Sequence, residues 1–180
     1  MVLLLAVASG LIVANLYYAQ TLVGPISAST GLSAKAAGLI VTLTQVGYTL
    51  GLLFVVPLGD LLENRRLIIT ALLVTATALV VAAMSTGAIV FLAAALAIGL
   101  GSVAAQVIVP FAAHLSQEAT RGQTVGKVVS GLLLGIMLAR PVASLVAAHA
   151  SWHVVFGGAA VLMVMFDFFT ECKWLINREL

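Results

Sequence analysis

Six apolar runs, at about 2–24, 36–58, 67–86, 88–111, 124–148 and 152–169, constrain this chain more than any other feature. A helix needs ~20 predominantly apolar residues to cross the hydrocarbon of a bilayer. That hydrocarbon offers no water to backbone amides, so only helices and closed barrels span it. Long runs without alternation of apolar and polar residues select helices. The third and fourth runs are separated only by "STGA", a tight turn between antiparallel helices. The expected fold is all-α: a polytopic membrane protein with six transmembrane helices over residues 1–169 and a tail at 170–180.

Composition excludes the main soluble classes. The chain is 63% hydrophobic and 8% charged, where a soluble domain carries ~25% charged residues. No basic stripe favours nucleic acid as a partner. The lone Cys172 leaves no intramolecular disulfide and no cysteine cluster for a metal; no metal or cofactor is expected. The first run reads as a retained span. No Lys or Arg precedes it, and it exceeds the ~7–15-residue core of a cleaved leader, although "SAS" at 27–29 imitates a cleavage site.

The few charges orient the spans, because Lys and Arg collect on the cytoplasmic side. Arg65 and Arg66 follow the second run, Arg121 and Lys127 lie between the fourth and fifth, and Lys173 and Arg178 follow the sixth; Lys35 alone falls in a loop on the other side. Both termini are expected in the cytoplasm, with "HASWH" at 149–153 at the outer interface and Trp152 at headgroup level.

A pattern recurs at a shift of 84 residues: Gly38, Gly47, Gly51 and Pro57 become Gly122, Gly131, Gly135 and Pro141. Pro25, placed just after the first helix, and Pro110 pair at a shift of 85. Three helices per unit reverse the direction of the next, so the expected plan is a 3+3 inverted repeat, a recurring design of secondary transporters. Glycines four apart also permit close helix packing, and the two roles are compatible.

"PLGDLLENRR", residues 57–66, sets Gly59, Asp60, Arg65 and Arg66 at the turn between the second and third runs. Asp60 is able to accept hydrogen bonds from helix N-terminal amides or to pair with either arginine. Such a cluster would latch helix ends in one conformation and release them in another; the plainer reading is a positive-inside loop.

This stretch resembles the loop 2–3 signature of the major facilitator superfamily, in which a Gly, an Asp and a basic pair recur. Leu61 stands where a basic residue usually follows the Asp, Glu63 where a Gly is common, and the basic pair sits one place late. "NLYYAQ" at 15–20, "TRGQTVGKVVSGLLLGIMLAR" at 120–140 and "SWHVVF" at 151–156 add to the likeness. Together they resemble the drug, sugar and purine-nucleoside efflux branch of proton antiporters, over about residues 1–166. The resemblance implies the amino-terminal six-helix half of a twelve-helix fold in a bacterial inner membrane. It implies proton-coupled efflux of a small organic solute, with a carboxy-terminal half or a second copy as partner. After Phe166, "DFFTECKWLINREL" departs from what such a helix 6 carries, and a truncated or frameshifted reading frame is expected there.

In a transporter half, polar side chains within the spans face solute or a partner helix. The candidates for a substrate cavity are Asn15 and Tyr18, three apart on the first helix, Gln45 and Tyr48 on the second, Gln106 on the fourth and Arg140 on the fifth. Gln20 adds a further polar position. No Asp or Glu lies well inside the first five runs, so Asp60, His114 or a residue of the other half is left to couple protons; Asp167 falls in the departing tail.

Arg140 sits in "GIMLARPVAS" with no acidic residue within 20 positions. The resemblance places a glycine-rich run ending in Gly-Pro here; Gly131, Gly135 and Pro141 keep it, and Arg140 replaces the last glycine. Arg140 either snorkels to the outer headgroups or faces the cavity, holding carbonyls freed by Pro141 or an anionic solute group.

Three other readings compete. A rhomboid-type intramembrane protease needs Gly-x-Ser-Gly, but Val128 occupies the first glycine's place before Ser130, and His149 and His153 lie at the outer edge. An aquaporin-like channel needs paired Asn-Pro-Ala half-helices, and the sequence has none. An inactive six-helix fragment would insert and pack yet transport nothing. The expectation is a transporter rather than an enzyme.

Overall fold

The computed structural model describes the backbone of residues 2–177 and the side chains of residues 2–168 other than Asp60. Every regular element described is helical. In chain order these are α1 (Val2–Thr30), α2 (Leu39–Leu50), α3 (Asn64–Met84), α4 (Ala88–Ser102), α5 (Ala104–His114), α6 (Arg121–His149) and α7 (Trp152–Asn177). A π turn at Gly51–Val55 and a 3₁₀ turn at Val56–Asp60 prolong α2, while α4 and α5 form one span interrupted at Val103. Five helices are long and apolar enough to cross a membrane, and the sixth contributes a shorter apolar stretch at Trp152–Phe168.

The helix ends follow local chemistry. α1 runs through Pro25 and stops only at Thr30, where Gly31 takes φ 73° and the Leu32 amide donates to the Ser27 carbonyl. This is a Schellman stop, which needs the left-handed glycine. Pro25 therefore lies inside the first helix, not after it as the sequence reading has it. At the other end of the chain, the backbone of α7 continues as helix past residue 169 to Asn177. In the second span, Pro57 has no amide to offer the Leu53 carbonyl. The backbone there widens into the π turn and then tightens into 3₁₀.

Three helix pairs build the bundle: α1 with α6, α2 with α4, and α3 with α7, while α3 also packs along α4. Exchanging the first three spans for the last three turns the α1–α6 pair into the α4–α2 pair and leaves α3–α7 on itself. The packing thus obeys the pseudo-twofold expected of a 3+3 inverted repeat. The glycines fix its register. A side chain at Gly131 would overlap the Ala6 carbonyl and one at Gly135 the Gly10 carbonyl. In the other pair, Gly47 faces the Leu96 carbonyl and Gly51 the Leu100 carbonyl.

These contacts preserve the 84-residue shift between the second and fifth spans but set 90 residues between the first and fourth. Pro25 and Pro110, related by 85, are accordingly not equivalent positions. Gly101 plays a similar packing part against Ala71 and Thr75 on α3.

At the end where α4 begins, Trp152 and Phe156 close on Phe91 edge to face, with centroids 5.6 Å from it in both cases. All three rings are buried. Trp152 thus clamps α4 to α7, with the His153 ring stacked on it at 3.6 Å.

Candidate functional site

Most hydroxyls in the spans are turned back on their own helix. Ser9, Thr44, Thr75 and Ser102 each donate to the carbonyl four residues earlier, a local bond that leaves little for a solute. Ser130 does the same to Gly126, and the His149 ring sits 3.0 Å from the Leu145 carbonyl. Among the described residues no hydrogen bond joins Ser130 to His149 or His153.

A second group of polar side chains reaches between helices. On α6, Arg140 donates from Nη2 to Gln20 Oε1 on α1 at 2.6 Å. Its guanidinium also lies 5.7 Å from the centre of the Tyr17 ring, within the range of a cation–π contact. Tyr17 and Gln20 are three apart and share a side of α1. Tyr48, on α2, accepts a 2.8 Å bond from Gln106 Nε2 on α5. Gln45 stands half-buried one turn before Tyr48. Two polar pairs therefore bridge spans, one from α6 to α1 and one from α5 to α2. Their amides and phenols donate and accept, and their one fixed charge is Arg140.

The other two cavity candidates lie elsewhere. Asn15 is 1% exposed, and its amide points to Met163 Sδ on α7 at 3.6 Å. It is two residues before Tyr17, about 200° around the helix, which turns it toward the α7 layer. Its Oδ1 has no hydrogen-bond partner among the described residues. Tyr18 is buried along a mostly apolar groove of about 1020 Å³ between α1 and α6, which Gly10, Gly135, Lys127 and Leu162 also line. The side of α1 that meets Arg140 belongs to Tyr17 and Gln20. The signal for it was the same three-residue spacing, read from the neighbouring tyrosine.

In the loop after the second span, Arg66 Nε pairs with Glu63 Oε2 at 3.1 Å, both side chains well exposed. A side chain at Gly59 would meet Asn64 Oδ1 at 3.1 Å. Arg65 is half-buried at the start of α3, and Asp60's side chain lies outside the described residues. An exposed pair of this kind is worth ~0–1 kcal/mol. His114 is exposed in the last turn of α5, and among the described residues no His, Cys, Asp and Glu cluster is fit for a metal.

Comparisons with known proteins agree with this architecture. The family model described as Major Facilitator Superfamily matches residues 3–176. An uncharacterized putative transporter of Escherichia coli K12, YgaY, is 47% identical over 165 residues, covering 92% of this chain and 42% of that protein. A probable transporter of Streptomyces coelicolor is 34% identical over 176 residues, covering 98% of this chain and 41% of the relative. An uncharacterized MFS-type transporter of Bacillus subtilis is 26% identical over 160 residues. The chain spans about two-fifths of the length of these relatives. A six-span bundle with an inverted repeat, matched almost end to end by the family model, belongs to the Major Facilitator Superfamily.

Proposed function

We propose that this bundle forms one half of a secondary transporter that exports a small organic solute in exchange for protons. The polar pairs Arg140–Gln20, with Tyr17 beside it, and Tyr48–Gln106 carry the reading, because they join hydrogen-bonding side chains from four spans. Burying these groups against lipid is costly, whereas a watered path satisfies them. A second six-span bundle, as a further segment or a second copy, would close the path over them. The efflux direction and the proton as coupling ion rest on the resemblance of "NLYYAQ" and the fifth-span run to the efflux branch. Asp60 and His114 remain the coupling candidates on this chain. The inner membrane is the proposed location, with Arg65, Arg66, Arg121 and Lys127 at its cytoplasmic side.

Everted membrane vesicles test the reading. Vesicles carrying this chain together with the second half of the Escherichia coli relative should show solute-dependent collapse of an imposed proton gradient. A panel of drugs, sugars and nucleosides supplies the solutes. Vesicles carrying this chain alone should report whether two copies suffice. A gradient that collapses no faster than in empty-vector vesicles, in both preparations and for every solute, overturns the proposal.

A further inference from the structure

Arg140 is the one charge in these polar pairs, and the described groups that it touches are neutral. Gln20 offers a neutral carbonyl and Tyr17 a ring face. Among the described residues no carboxylate comes within ion-pair distance of it. An unbalanced guanidinium inside a span is expensive, and in surroundings of low dielectric an opposite charge is strongly attracted.

Depth argues against simple snorkelling. Arg140 lies nine residues before the end of α6 at His149, and Gln20 ten before the end of α1 at Thr30. At 1.5 Å per residue that is about 13–15 Å below both helix ends. The bond to Gln20 holds the guanidinium at that level, and a single Nη2 donor is spent on it. Arg140 is exposed on the bundle, so the rest of its fork is presented outward. A guanidinium fork suits carboxylate or phosphate, which it holds through paired hydrogen bonds.

We infer that Arg140, positioned by Gln20 and Tyr17, is an anion-binding site that selects solutes bearing a carboxylate or phosphate. The inference deepens the transport reading and rests on it for the solute's passage, but binding is measured without transport. Tyr17 supplies an aromatic face beside the charge, so an aromatic or heterocyclic acid is the preferred class. A lipid phosphate offers the same chemistry, and the membrane environment separates the two sources.

The test is calorimetric titration of the purified chain, in maltoside micelles and in phosphatidylcholine nanodiscs. The probes are benzoate and inorganic phosphate, with benzylamine as the cationic control. Benzoate should bind in both environments and benzylamine in neither. Arg140→Gln should weaken benzoate at least tenfold, and Arg140→Lys by less, since it keeps the charge and loses the fork. Gln20→Glu is the decisive variant. It leaves Arg140 in place but supplies an internal counter-charge, so benzoate should again weaken at least tenfold in a protein that still folds.

Unchanged benzoate affinity in Gln20→Glu and Arg140→Gln overturns the site, as does the absence of anion binding in the parent chain. Binding in maltoside that vanishes in nanodiscs assigns the site to lipid headgroups and overturns the solute. Anion binding without flux in vesicles would sink the transport reading alone; flux of neutral solutes without anion binding would sink this inference alone.

Discussion

Gln106 and Tyr48 stand 58 positions apart in the chain and 2.8 Å apart in space. Bonds of this kind in a membrane bundle average ~0.6 kcal/mol and reach ~1.7 kcal/mol. Tyr48→Phe and Gln106→Leu should each destabilise the bundle, and the double variant should cost less than their sum by about that amount. Reversible unfolding of the four proteins in mixed micelles reads the coupling; strict additivity would deny the bond. The residue types of the site were legible in the sequence, since few polar side chains interrupt the apolar runs. Their partners were not. Asn15 and Tyr18 share the same three-residue spacing as Tyr17 and Gln20. Only packing decides that Tyr17 and Gln20 meet α6 while Asn15 meets α7.

At the scale of elements, the glycine spacing on the second and fifth spans was visible, and its consequence is measurable. A methyl at Gly135 would run into the Gly10 carbonyl, whereas one at Gly126 meets nothing within 4 Å. Gly135→Ala should destabilise by ~1–3 kcal/mol through overpacking. Gly126→Ala, on the same helix, should stabilise by ~0.5–1 kcal/mol through lost backbone freedom. Thermal unfolding in one detergent separates them, and equal midpoints would remove the carbonyl contact from the account. What the sequence could not carry is the partner surface. Ala6 and Leu96 are equivalent positions with unlike side chains, because their carbonyls make the contact. A repeat read from residue identities follows Gly47 to Gly131 and loses Ala6 to Leu96. The proline match at 85 residues was attractive for the same reason, and the backbone register corrects it to 90.

For the whole molecule, the six-span all-helical plan was legible because hydrocarbon leaves the backbone so few options. The proposed orientation is open to a direct check. In a Cys172→Ser background, a cysteine at Ser33 should react with an impermeant maleimide on intact cells. One at Ser116 should react only after the membrane is opened, and the reverse pattern would invert the bundle. The glycine–carbonyl crossings carry one further consequence, which concerns time. Gly131 follows Gly10 by 121 residues. At ~5–20 residues per second of synthesis, α1 spends roughly 6–24 s in the membrane before the surface that fits it exists. Until then it has only its lesser packing against α2, α4 and α5, with Gln20 unanswered, so the earliest span is also the one that waits longest for the other half of its pair.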